Sequence, residues 1–154
     1  MKTPAAVEAY LHEHIPLAAS MGVRVLIAAR DEVVLQAPLE PNLNHRDTAF
    51  GGSVAAVSIL AGWTLVHRRL HEEGIAGRRT VIQASTVHYV APVDAAFRAT
   101  CATPDPSEWA RFLRTLTRKG KARIRVEADV TCRGTLAATF EGAYVALEGP
   151  PESI

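Results

Sequence analysis

Residues 51–73 constrain this chain more than any other stretch. Their first half places apolar side chains on every side of a helix: Val54, Ala55, Ala56, Val57, Ile59, Leu60, Ala61 and Trp63. A helix with no polar face has to be enclosed rather than laid on a surface. The second half turns polar with His67, Arg68, Arg69, His71, Glu72 and Glu73, and Gly74 and Gly77 end it. A membrane span over residues 49–66 does not fit. That segment carries Gly51, Gly52, Ser53, Ser58, Gly62 and Thr64, and Asp47 and Arg68 flank it, where a spanning helix takes ~20 apolar residues.

The rest of the sequence supplies the enclosure. Residues 22–29 and 32–37 read as two strands joined tightly at Arg30-Asp31. A loop with Pro38, Pro41, Asn42 and Asn44 then runs to Phe50. Residues 80–90 form a strand that stops before Pro92, and 95–103 form the next. Residues 122–132 alternate: Ala122, Ile124, Val126, Ala128, Val130 and Cys132 on one face, Arg123, Arg125, Glu127, Asp129 and Thr131 on the other. One wet face predicts an antiparallel sheet. Arg133-Gly134 turns this strand into a hairpin with 136–147.

Two further helices are expected. Thr3 caps the first with Pro4 at its first position, Val7, Tyr10, Leu11 and His14 form its stripe, and Pro16 ends it. The other starts at Asp105, Pro106 and Glu108, carries Trp109, Phe112, Leu113 and Leu116 on one face, and stops at Gly120. Strands in runs around a single enclosed helix predict an α+β fold, with one curved sheet wrapped around that helix. All 154 residues, 1–154, read as one domain, with 149–154 as a frayed end.

Composition removes several classes of function. Seventeen Lys and Arg against sixteen Asp and Glu give a formal charge of +1, which excludes a whole-domain polycation built for nucleic acid. Cys101 and Cys132 belong to no CxxC and no Cys/His pair, so they read as buried, reduced thiols of a cytoplasmic protein rather than a zinc or redox site. His67 and His71 have ligand spacing but no acidic third partner, and no metal or cofactor is expected. No secretory leader is legible at the N-terminus. No GxSxG elbow is present.

The most informative segment is 42–53. Polar residues crowd the start of the enclosed helix, and Gly51-Gly52 opens it. A helix N-terminus leaves amides unpaired and carries partial positive charge. Glycines let a ligand approach those amides, and a carbonyl oxygen placed there is stabilised as it becomes an oxyanion. A well-capped helix with close glycine packing fits the same residues, and both readings stand at this point. A second feature is charge: Arg111, Arg114, Arg118, Lys119, Lys121, Arg123 and Arg125 lie in fifteen positions without one acid. Such a block suits phosphates or a solvated face. No aromatic residue interleaves these charges on a strand, and no nucleic-acid-binding motif is present.

The run Asn44, Thr48, Gly51, Gly52, the turn Tyr89-Val90-Ala91-Pro92-Val93 and the order of elements resemble hotdog-fold acyl-CoA thioesterases. Thr48-Ala49-Phe50-Gly51-Gly52-Ser53, Gly62-Trp63 and Arg118-Lys119-Gly120-Lys121-Ala122-Arg123 resemble most closely the thioesterase domain that follows an acetyltransferase in some bacterial proteins. The resemblance implies hydrolysis of an acyl-CoA or acyl-carrier thioester by water, in a homodimer or dimer of dimers. A non-catalytic acyl-binding domain is the alternative. The sequence departs from the phenylacetate-pathway members in two places. Phe50 stands where they have a His, and Ile59, with Ser58 beside it, stands where they have a helical acid. Catalysis is therefore expected from Asn44, which positions water, from Asp47 as base, and from the Gly51 and Gly52 amides, with Ser58 as a further candidate. Substrate contacts are expected from His45, Phe50, Ser53, His88, Arg118, Lys119, Lys121 and Arg123. His88 lies in a strand whose face the sequence leaves open.

Overall fold

The computed structural model describes residues 3–75 and 77–148; the expected frayed tail lies outside them. The elements run α1 (Pro4–His14), α2 (Pro16–Ser20), β1 (Arg24–Ala28), β2 (Glu32–Ala37), a 3-10 turn (Glu40–Asn42), α3 (Gly51–Glu72), β3 (Arg78–Tyr89), β4 (Phe97–Ala102), α4 (Pro106–Lys119), β5 (Lys121–Cys132) and β6 (Thr135–Glu148). One six-stranded sheet has the order β1-β2-β4-β5-β6-β3, and each neighbouring pair is antiparallel. α3 packs across its inner face and contacts β2, β3, β4, β5 and β6. This is the hotdog fold.

Local chemistry places most boundaries. The Thr3 side chain accepts the Ala6 amide at the start of α1, and Asp105 accepts the Ser107 amide at the start of α4. Gly120 closes α4 at φ 68°, which only glycine adopts without strain. β5 alternates as expected, with Ala122, Ile124, Val126, Ala128, Val130 and Cys132 buried.

Two expectations need correction. Pro16 does not simply end the first helix: Ile15 leaves helical geometry at φ −130°, ψ 82°, and Pro16 opens α2. A proline pushes the residue before it out of the helical region and is well placed at a first helical position. The polar second half of α3 is also not turned wholly to solvent. Arg68 and Arg69 are buried beneath α4 and the β1–β2 turn. Arg68 donates to the Ala29 carbonyl at 2.8 Å and pairs with Glu72 at 2.9 Å. The Arg69 guanidinium lies 4.1 Å from the centroid of the Trp109 ring, and burial, then the nearby Arg30, lowers its pKa. His67 likewise joins a ring stack, 4.4 Å from Trp63 and 5.6 Å from Tyr10 of α1.

Two close approaches hold α3 against the sheet. A Cβ on Gly62 would sit 2.5 Å from the Tyr144 hydroxyl, so glycine lets that buried ring cross the helix. The hydroxyl donates to the Ile59 carbonyl at 2.7 Å, and burial, then the neighbouring Cys101, raises the phenol's pKa. Both cysteines are free and buried, and burial pushes the Cys101 thiol up to about 12. Cys101 should therefore resist alkylation at pH 8 in the native chain and react only after unfolding; labelling detected by peptide mass checks this. Rapid native labelling at Cys101 would contradict the packing.

Candidate functional site

The site is assembled at the N-terminus of α3. The loop before it is tied at three levels. The buried Asn42 side chain donates to the Met21 and Pro38 carbonyls at 2.9 and 2.8 Å. The Ala49 amide donates to the Val93 carbonyl and the Phe50 amide to the Asn42 carbonyl, both at 2.7 Å. Leu43 and Ala49 pair across the neck of a short turn whose exposed tip carries His45, Arg46 and Asp47.

Asn44 builds that turn. Its Oδ1 accepts the amides of Arg46 and Thr48 at 2.7 and 3.3 Å. Its Nδ2 donates to Thr48 Oγ1 at 2.9 Å and to the Ala49 carbonyl at 3.4 Å. Both donors and both acceptor positions of the amide are engaged, so Asn44 shapes the turn and holds no spare group for a water. Asp47 sits on this turn at φ 60°, a left-handed position that Asp tolerates better than most residues. His45 Nε2 accepts from Arg46 Nε at 3.3 Å.

Phe50 is the N-cap of α3 and supplies no capping side chain. The Ser53 and Val54 amides donate to the Phe50 carbonyl. The Gly51 and Gly52 amides have no protein acceptor among the described residues. Two aromatic rings flank these free donors. A Cβ on Gly52 would meet the Phe50 ring at 2.3 Å, and one on Gly51 would meet the Tyr89 ring at 3.3 Å. The Tyr89 hydroxyl donates to the Gly51 carbonyl at 2.7 Å. Phe50 and Tyr89 are 58% and 57% exposed. The arrangement is a pair of aligned N–H donors at the positive end of a 22-residue helix, floored by aromatic rings.

Two expected site residues, Ser58 and His88, lie elsewhere. Ser58 is fully buried and donates to the Val54 carbonyl at 2.9 Å, so it is a core hydroxyl and no nucleophile. His88 points away from α3. β3 carries a bulge between Ile82 and Ala84. Before the bulge, Thr80 and Ile82 face inward beside Ala146 and Tyr144; after it, Val87 and Tyr89 do, beside Phe140 and Ala138. His88 is thereby turned to the outer face, beside Thr139, Glu127 and Asp129. The bulge also delivers Tyr89, which the sequence reading left out of the site. An aromatic residue just before a proline turn was the available signal, but its face depends on one unpaired residue.

The basic run is not brought to the amide pair within one chain. Arg111, Thr115, Arg123 and Arg125 line a cleft of about 260 Å³ between α4 and β5, and Lys119, Lys121, Arg123 and Gln83 line its neighbour. Gln83 and Tyr89 are six residues apart on β3, ~20 Å at strand rise. Ser53 stays on the first turn of α3, half-buried. No group of three His, Cys, Asp or Glu side chains among the described residues could hold a metal ion. No helix among them is long and apolar enough to cross a membrane.

A hotdog sheet closed on a helix whose first two amides are free is the framework of a thioesterase-like protein. The family model described as "Putative thioesterase (yiiD_Cterm)" matches residues 4–148, and the chain belongs to that family. A protein of unknown function from Chlorobaculum tepidum TLS is 34% identical, with a TM-score of 0.88 over 95% of this chain and 94% of its own. A putative thioesterase from Shewanella oneidensis is 28% identical, with a TM-score of 0.82 over 94% of this chain and 96% of its own. A Pseudomonas aeruginosa protein of unknown function, described as a "Probable Thioesterase", shares the fold at 20% identity, with a TM-score of 0.81 over 97% of this chain and 99% of its own.

Proposed function

We propose that this chain hydrolyses an acyl thioester, carried on coenzyme A or an acyl carrier, with water as nucleophile. The observation that carries the reading is the pair of unpartnered Gly51 and Gly52 amides at the start of α3. A thioester oxygen seated on them gains hydrogen bonds that strengthen as it becomes an oxyanion. Phe50 and Tyr89 wall the approach. Asp47, held on the turn that Asn44 folds, is the nearest carboxylate in sequence and serves as general base for the attacking water. Asn44 is a positioning residue in this scheme.

The second reading is an acyl-binding domain without turnover. It is favoured by one feature: α3 contributes no carboxylate before Glu72. Thiol release from a panel of acyl-CoAs separates the two. Release that Gly52→Val abolishes supports the hydrolase; tight acyl-CoA binding with no release gives the domain to the second reading.

We also propose that the chain works as a homodimer joined through β3. This strand is twelve residues long, and β6 pairs with only one of its edges. Open edges of that length invite pairing. Beside it, Ala55, Ala56, Ile59 and Trp63 of α3 are only half-buried, so the helix that the sequence requires to be enclosed has one face left for a neighbour.

A further inference from the structure

One strip of α3 stays half-buried along its length. From the Gly51–Gly52 amides it passes Ala55, Ala56 and Ile59 and reaches Trp63. Beside it, the inward side chains Val87 and Ile82 of β3 are half-buried too. Apolar groups thus line both sides of one path that starts at the amide pair. Its near end is built small, because the two alanines project one methyl each. Its far end is closed. Trp63 Nε1 donates to the Thr80 carbonyl of β3 at 2.8 Å, so the indole spans from helix to strand across the path. Other rings back it. Trp63 lies 4.4 Å from His67 with planes 13° apart, and 6.3 Å from Tyr10 of α1 with planes 10° apart. Turning the indole aside would break a hydrogen bond and a stack together.

We propose that Trp63 sets the length of acyl group this protein accepts, as the end wall of an acyl path between α3 and β3. The proposal rests on the reading of the Gly51–Gly52 amides as the seat of the thioester oxygen. Eleven residues of helix separate Gly52 from Trp63, ~16 Å at helical rise. Contact with the indole takes up ~4 Å of that. An extended alkyl chain advances ~1.25 Å per carbon, given carbon–carbon bonds of ~1.52 Å and near-tetrahedral angles. The path therefore takes a straight acyl group of about ten carbons. Each methylene buried along it adds affinity until the indole is reached. A longer tail has to bend out into water. The wall is made by one chain's own helix and strand, so a neighbour joined at β3 would roof the path without changing its length.

Turnover of straight-chain acyl-CoAs from butyryl to palmitoyl tests the wall. In the unaltered protein kcat/KM should rise by up to ~4-fold per methylene, peak at about ten carbons, and fall for longer tails. Trp63→Ala should move the peak up by about four carbons, because the next ring, His67, stands one turn of ~5.4 Å further on. Ala56→Phe, one turn from Gly52, should move the peak down to the shortest members of the panel. It leaves Trp63 in place, so the path is tested even where Trp63→Ala does not fold; thermal melts show which variants do. The same panel is titrated by calorimetry. Affinities that peak and shift in this way without thiol release would count against the hydrolase reading alone and would still establish the wall. A profile that neither folded variant shifts overturns the proposal. So does affinity that keeps rising through palmitoyl in the unaltered protein.

Discussion

Replacing Asp47 with Asn should lower thioester turnover by ~10²–10⁴ while acyl-CoA affinity stays within a few-fold. The substitution keeps the shape of the side chain and its tolerance of the left-handed φ of 60°, so the Asn44 turn survives. What is lost is the group that takes the proton from water. The Gly51 and Gly52 amides remain, so ground-state binding of the thioester is retained. Such a split between kcat and KM is the mark of an interaction made in the transition state. Steady-state kinetics on one acyl-CoA, with binding measured separately by calorimetry, is the check. Full activity in Asp47→Asn would remove it as the base and direct attention to a carboxylate supplied by a second chain.

Gly62→Ala should destabilise the fold by ~1–3 kcal/mol. The added Cβ would meet the Tyr144 hydroxyl at 2.5 Å and its ring carbons at 2.9 Å. Tyr144 is fully buried and donates to the Ile59 carbonyl, so the ring has no open space to turn into. Either α3 lifts from the sheet or the hydrogen bond breaks. For a chain of this size the melting temperature should fall by roughly 2–4 °C per kcal/mol. Tyr144→Phe in the same background should recover part of the loss, because the nearest contact is the hydroxyl. An unchanged melt for Gly62→Ala would mean that this contact does not hold α3 in place.

Local rules account for what the sequence revealed. The start of α4 is written in Asp105 and Pro106, its end in Gly120, and the inner face of β5 in strict alternation from Ala122 to Cys132. Each signal acts within a few residues of chain. The enclosed helix was legible for a different reason: an apolar surface on all sides admits one kind of environment. Burial of Arg68 and Arg69 was not legible, because it depends on α4 and the β1–β2 turn arriving from distant sequence. In the candidate site, the glycine pair and its free amides could be read from position alone. The role of Asn44 could not. Its residue type suits a water-binding group or a turn, and only the four hydrogen bonds of its amide decide for the turn.

The unpaired position between Ile82 and Ala84 makes β3 a strand with two parities. Upstream of it even-numbered residues look inward, downstream odd-numbered ones do. Pairing Gln83 into the ladder opposite Ala143 would restore a single parity without changing one residue. An imidazole, His88, would then take the place of a phenol, Tyr89, beside the opening of α3. The chemical character of that corner is therefore set by one residue that the ladder skips, six positions upstream of the ring it delivers.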